Sequence, residues 1–311
     1  MPAYTTSQIK SKTAMARKVV MHHFGKSSQK IEFKPAGKTN FVFDVITKDG
    51  SFIVRIANSR AKLNDFVKEQ WVAQKALNIG VPVPEILEVG HEIIPFPYML
   101  QQKIEGEEAV NHPDRLKILH KLGKYARMIH SIPTTGFGKV FDWSKNKLSK
   151  KKTWIEFLEK ELQVAEGLKF LQENDILSKK KIKRLNIEFG KLKKWKITPA
   201  LNHCDLRLKN VIVNEAGEIK AILDWEDCSS NCAPYWDFSI ALHDLSIDGK
   251  QKFLEGYGPD IEEFSKKAYA LTVFNIINYI PALQRIIAKK DMDGLALYKL
   301  RLDGSLDLFS I

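Results

Sequence analysis

At 311 residues the chain is long enough for two modest domains, each with a core of its own. Its 44% apolar and 28% charged residues, with 17 Gly and 12 Pro, exclude a disordered, collagen-like or repeat-fibre protein. Lys and Arg outnumber Asp and Glu by 49 to 37, and the formal charge of +12 suits nucleic acid, anionic lipid or phosphorylated ligands without choosing among them.

Met1–Thr5 lacks the apolar core of a secretory signal, and three cysteines, Cys204, Cys228 and Cys232, are an odd number in a chain too large to rely on disulfides. The expected setting is the cytoplasm. Ile9, Ala14, Met15, Val19 and Val20 recur at helical spacing, so a helix is predicted over 5–23, ended by Gly25. The β-rich runs FVFDVIT and SFIVRIA flank Lys48-Asp49-Gly50, where Asp-Gly supplies the positive φ of a tight hairpin. Leu63, Phe66, Val67, Ala73, Ala76 and Leu77 predict a helix over 62–79 capped by Gly80, and Val81-Pro82-Val83-Pro84 is held extended. Past the apolar run Tyr98-Met99-Leu100 the pattern turns helical, which divides the chain into an N-terminal lobe, 1–102, and a C-terminal lobe, 103–311. Helices are predicted over 114–131, 153–176 and 179–195, then a β-rich interlude over 201–225, then helices to the C-terminus. The uncharged stretch 268–284 carries Asn275, Asn278 and Pro281 and reads as a buried helix, so no membrane partner is expected.

Chemistry concentrates in His203-Cys204-Asp205-Leu206-Arg207-Leu208-Lys209-Asn210 and, fourteen residues after Asn210, Asp224-Trp225-Glu226. A hairpin paired symmetrically about Ala216 and Gly217 sets residue 210 opposite 223, so Asn210 and Asp224 meet at its open end. An amide oxygen and a carboxylate there, with Asp205 on the adjoining loop, suit a hard cation such as Mg²⁺.

An Asp five residues before an Asn, followed by a metal-binding Asp on the next strand, is similar to the kinase pattern. The tryptophan after Asp224 makes the chain resemble the aminoglycoside phosphotransferase and choline kinase superfamily, whose members carry a His-Gly-Asp loop with the same Asp-to-Asn spacing and Ile-Asp-Trp-Glu. The resemblance covers roughly residues 30 to 245 and implies an α+β, two-lobed, protein-kinase-like fold with a small sheet lobe and a larger helical lobe. It also implies transfer of the γ-phosphoryl group of ATP, or of GTP, with Mg²⁺, to a hydroxyl of a small molecule. By the same resemblance Gly37, Lys38 and Asn40 cover the nucleotide, Arg55 contacts phosphate, Glu69 positions Arg55, and Gln101, Gln102 and Lys103 belong to the hinge. Asn210 and Asp224 hold the metal, Asp205 orients the acceptor hydroxyl, Arg207 stabilises the transferring group, and Asp237 closes the motif. Cys204 stands where the family usually has Gly, so the backbone there carries a side chain. Cys232-Ala233-Pro234 stands where it often has Gly-Asp-Pro.

Plainer readings stand beside these. His203 reads as a structural hydrogen-bonding residue, and the spacing of His203 and the three cysteines matches no familiar zinc site. The basic runs at 149–152 and 179–184 read as solvated helix faces, so nucleic acid is not an expected partner. Asn275, Asn278 and Tyr279 share one helical face and suit an acceptor pocket or core and capping roles. Aminoglycoside-like, sugar and amino-alcohol acceptors all remain open, and oligomeric state is not legible. The alternative function is a catalytically idle nucleotide-binding protein or a basic RNA-binding protein.

Overall fold

The computed structural model describes residues 4–35, 40–139, 141–142, 147–148 and 151–308. Contacts gather the chain into two compact units, Met1–Ile118 with Leu208–Glu226, and Leu119–Arg207 with Asp227–Ile311. The grouping does not follow chain order, whereas the sequence reading draws one boundary between 102 and 103.

In the first unit, α1 (Thr6–Phe24) starts at a reciprocal cap in which Thr5 Oγ1 accepts from the Gln8 amide and the Gln8 side chain accepts from the Thr5 amide. Gly25, at φ 63°, ends it. Strands β1 (Lys30–Lys34), β2 (Asn40–Thr47), β3 (Gly50–Ala57), β4 (Ile86–Gly90) and β5 (Tyr98–Gln102) form an antiparallel sheet in the order β1-β2-β3-β5-β4. The β2–β3 turn is the predicted one, with Thr47 opposite Gly50 and Gly50 at φ 135°. Because strand side chains alternate, Phe41, Phe43, Val45, Val54, Ile56, Tyr98 and Leu100 pack with Ala16, Val19 and Val20 of α1. Their neighbours Val42, Ile53, Arg55 and Gln101 therefore face the other way. On that side α2 (Leu63–Asn78) packs on β4 and β5, with Phe66 against Ala57 and Met99.

The same unit contains a second sheet of β6 (Glu107–Glu108), β10 (Val211–Val213) and β11 (Ile219–Ile222), in the order β11-β10-β6. Val211 pairs with Ile222, and the Leu223 amide donates to the Asn210 carbonyl at 2.7 Å. This is the predicted register, with a local irregularity between Ile212 and Val213 that shifts Val213 onto Ile219.

The second unit is mainly helical. It contains most of α3 (Arg115–His130), the short pair β7 (Phe141–Asp142) and β8 (Lys147–Leu148), α4 (Trp154–Glu156), α5 (Val164–Glu173) and α6 (Lys179–Leu192). After β9 (Ala200–Asn202) and β12 (Ser229–Asn231) come α7 (Tyr235–Ala241), α8 (Ile247–Tyr257), α9 (Ile261–Lys267), α10 (Tyr269–Ala288) and α11 (Met292–Leu308). Two expectations change. The helix predicted over 153–176 breaks into α4, a π turn at Phe157–Glu161 and α5, with Gln163 between them at φ 48°. The strand β12, absent from the sequence reading, pairs with β9, and its Ser230 hydroxyl bonds Thr134 and the Gly136 carbonyl, at 2.5 and 2.7 Å.

Helix α10 is long and apolar enough to cross a membrane by length and composition, but it packs among α5, α6, α7 and α11, with 56% of its most apolar window buried. In α6, Ile182, Leu185 and Phe189 face inward, while Lys181 and Arg184 of the basic run pair with Asp303 and Glu188.

Two features position the segment that carries His203, Cys204 and Asp205. Helices α3 and α8 touch through glycines, since a Cβ on Gly123 would lie 2.1 Å from the Phe253 carbonyl oxygen and one on Gly256 would lie 1.8 Å from that of His120. At the end of α3, His130 Nε2 meets Asp237 Oδ2 at 2.9 Å. Asp237, fully buried on α7, also accepts from the amides of His203 and Cys204 at 2.8 and 2.6 Å. Burial opposes its charge, yet His130, His203 and the Cys204 amide outweigh burial and hold its carboxyl below the ordinary value.

Gly123→Ala is therefore expected to destabilise the fold by about 1 to 3 kcal/mol, read from a denaturant midpoint. Asp237→Asn removes one member of a buried pair and is expected to cost about 3 kcal/mol at pH 7. Because the folded value is depressed, the wild-type advantage is present above the ordinary 3.8 and is lost as pH falls through the lower folded value, so wild-type and variant midpoints converge in acid.

Candidate active site

Within the first unit, the inner face of β2, β3 and β5, helix α2 and the end of the 210–224 hairpin enclose a cavity of about 560 Å³. Asn40, Arg55, Glu69, Gln101, Asn210 and Asp224 all line it, between apolar walls that include Ala73, Ile86 and Leu223. Strand β3 sets Arg55 into it and α2 sets Glu69 opposite, so that Arg55 Nη1 donates to Glu69 Oε2 at 2.5 Å. The Arg55 ring of donors also lies 3.8 Å from Glu226, whose backbone carbonyl accepts from Lys68 at 2.6 Å. Burial works against the Arg55 cation, but Glu69, Glu226 and Asp224 outweigh it and tighten its hold on its proton. Burial pushes the Glu69 carboxyl up, opposed by Arg55, and among the described residues Glu69 Oε1 is buried without a partner. The planar Arg55 guanidinium is thereby held in one orientation, with a donor fork whose geometry suits oxyanions.

Asn210 is 7% exposed and Asp224 takes the left-handed conformation at φ 66°. An amide oxygen and a carboxylate make a hard, oxygen-only donor set that fits Mg²⁺, which takes one or two protein ligands and completes its shell with substrate phosphates and water. Among the described residues no group of three or more His, Cys, Asp or Glu is placed to hold a metal alone. Of the other expected nucleotide contacts, Gln102 points to the opposite face of β5 from Gln101 by strand alternation. Lys103 pairs with Asp44 at 2.9 Å and Glu105 at 3.3 Å, and neither Gln102 nor Lys103 lines the cavity. Gly37 and Lys38 lie outside the described residues.

Asp205 and Arg207 line a different cavity, of about 340 Å³, inside the second unit. Arg207 Nε donates to Asp205 Oδ1 at 2.5 Å, and Nη2 reaches the same oxygen. His203 is fully buried, and its Nδ1 accepts from the Asp205 amide at 3.2 Å. Cys204 adopts φ 67°, the conformation its usual glycine would favour, and its thiol touches Ser229 Oγ at 3.1 Å. Burial, aided by the charge of Asp237, pushes that thiol far up, so it is no nucleophile near neutral pH. Lys139, Asp227, His243 and Asp244 complete the charged and titratable lining. Of these, Lys139 and His243 were not expected as site residues. They arrive from separate loops and helices, and no local spacing announces them.

The sequence profile of the phosphotransferase enzyme family matches residues 30–267. No curated protein matches the sequence. Among solved structures, aminoglycoside phosphotransferase APH(4)-Ia is similar at a TM-score of 0.68 and 16% identity, over 96% of this chain and 99% of that one. A thermostable mutant of it, in ternary complex with AMP-PNP and hygromycin B, is similar at the same TM-score and identity over 94% and 97%. The GDP complex of wild-type aminoglycoside 2′-phosphotransferase-IIIa gives 0.68 and 16% over 95% and 98%. At these identities the likeness is one of fold, and the fold is the kinase-like α+β architecture that the sequence motifs imply. The profile's span takes in β2, β3, α2, the loop from His203 to Asn210 and Asp224, and the chain belongs to the phosphotransferase enzyme family.

Proposed function

We propose that the protein transfers the γ-phosphoryl group of a purine nucleoside triphosphate, in a magnesium-dependent reaction, to a hydroxyl of a small molecule. The observation that carries this reading is the convergence of the Arg55–Glu69 pair with Asn210 and Asp224 on one cavity. Family neighbours crystallised with AMP-PNP, ADP and GDP support a purine nucleotide there. Neighbours crystallised with hygromycin B and kanamycin support a small hydroxylated acceptor.

In this reading Arg55, fixed by Glu69, binds the nucleotide phosphates, and Asn210 and Asp224 hold Mg²⁺. When bound, the cation neutralises charge on the phosphate oxygens. Asp205 accepts a hydrogen bond from the acceptor hydroxyl and aligns it for in-line attack. A carboxylate is too weak a base to remove an alcohol proton outright, so orientation is its larger contribution. Arg207 neutralises Asp205 in the absence of acceptor and serves the transferring group during reaction.

Asp205→Asn is expected to lower turnover by about 10²- to 10⁴-fold while nucleotide affinity stays within about two-fold. Loss of nucleotide binding in a folded variant would contradict the role of Asp205. Asp224→Asn is expected to abolish the magnesium dependence of nucleotide binding, measured calorimetrically, and an unchanged dependence would contradict the metal assignment. Both are read beside wild-type transfer, followed by nucleoside diphosphate release and mass gain of the acceptor.

A further inference from the structure

The cavity beside Asp205 has an uneven chemistry. Its five fully charged side chains are two cations, Lys139 and Arg207, and three carboxylates, Asp205, Asp227 and Asp244. Two carboxylates are already engaged, Asp205 by Arg207 and Asp227 by Lys139 at 2.5 Å, which leaves Asp244, itself 3.9 Å from Arg207. Burial holds the His243 imidazole below its ordinary value, so it adds no charge at neutral pH. With both cations answered by a carboxylate, a polycation would find a single loosely held carboxylate, Asp244.

The uncharged groups are better provided. Helix α10 presents Asn275, Asn278 and Tyr279 to this cavity, at positions i, i+3 and i+4 on one face. Asn275 is only 4% exposed and lines the cavity, so its amide is held at the wall with little freedom. An amide carries both donor and acceptor atoms and can bond two neighbouring hydroxyls at once. Beside it the Tyr279 hydroxyl is fixed by His243 Nε2 at 2.5 Å, and Trp236 contributes an aromatic wall. Amide, phenol and an aromatic wall are the groups that hold hydroxyls and the apolar face of a sugar ring.

We propose that this cavity takes a ring-shaped polyol of sugar type carrying at most one positive charge, and that Asn275, with the Tyr279–His243 pair, determines acceptor specificity. The inference rests on the phosphotransfer reading and narrows its acceptor class. Asn275 accepts and donates to adjacent hydroxyls of the ring, and Tyr279 holds a further one. Asp205 remains for the hydroxyl that is phosphorylated.

The test is a panel of neutral pentoses, hexoses and cyclitols, a single-amine sugar and a four-amine sugar, assayed with wild type, Asn275→Leu and Asn275→Asp. Nucleotide affinity and melting temperature are measured alongside. For wild type, kcat/KM should be at least about ten-fold higher for the best neutral or single-amine compound than for the four-amine one. Asn275→Leu should raise acceptor KM about ten-fold with nucleotide affinity and melting temperature unchanged. Asn275→Asp should move preference toward the aminated compounds. Highest efficiency with the four-amine sugar, activity on none of the panel despite nucleotide binding, or a destabilised Asn275→Leu with unchanged acceptor KM would each overturn the inference while leaving nucleotide-dependent transfer standing. A wild-type protein that binds no nucleotide would remove the phosphotransfer reading, and this inference with it.

Discussion

One backbone hydrogen bond, from the Leu223 amide to the Asn210 carbonyl at 2.7 Å, sets the frame for the first unit's cavity. It closes the open end of the β10–β11 hairpin and holds the pairing of Val211 with Ile222. Strand side chains alternate, so a slip of one residue would turn Asn210 and its neighbours to the opposite face and separate the amide from Asp224. The buried Val211, Val213, Ala221 and Ile222 resist that slip, because it would carry them out of the core. The register irregularity at Val213 lies toward the turn, away from the end that matters.

The second unit solves a related problem with a buried carboxylate. Cys204 is held at φ 67°, a conformation that costs a non-glycine residue on the order of 1 kcal/mol. Asp237 over-determines that conformation by taking the amides of both His203 and Cys204, and His130 holds Asp237 in turn. His130 Nδ1 is engaged by the Tyr257 hydroxyl at 3.2 Å, so the chain of contacts runs from α8 through α3 and α7 into the loop that bears Asp205. The glycines at the α3–α8 contact allow the two helices to approach closely enough for it. Asp224, also left-handed at φ 66°, is the corresponding strained residue of the first unit. Such positions persist where surrounding structure fixes them, and both adjoin groups that the reaction would use.

Much of this was legible in the sequence for local reasons. Thr5 and Gly25 bound α1, Asp49-Gly50 fixes the β2–β3 turn, and symmetric pairing about Ala216 and Gly217 gives the correct opposition of 210 and 223. The hinge was read as a continuous run, yet strand alternation admits Gln101 to the cavity and turns Gln102 away, while Lys103 answers to Asp44. The strand β12 is Ser-Ser-Asn, a polar triplet without apolar alternation, and becomes a strand through pairing with β9. The π turn at Phe157–Glu161 and the left-handed Gln163 after it interrupt a stretch whose apolar spacing stays helical, so periodicity does not record them. The lining of the second cavity is tertiary: Lys139, His243 and Asn275 lie more than thirty residues apart along the chain, and only the fold brings them together.

The most direct test of the account is calorimetric titration of the wild-type protein with a non-hydrolysable ATP or GTP analogue, with Mg²⁺ present and then withheld. The account predicts saturable one-site binding that depends on Mg²⁺, and a matching rise in stability of about 2.7 kcal/mol at a hundred times the dissociation constant. Binding that is indifferent to Mg²⁺, or absent with both nucleotides, would contradict it.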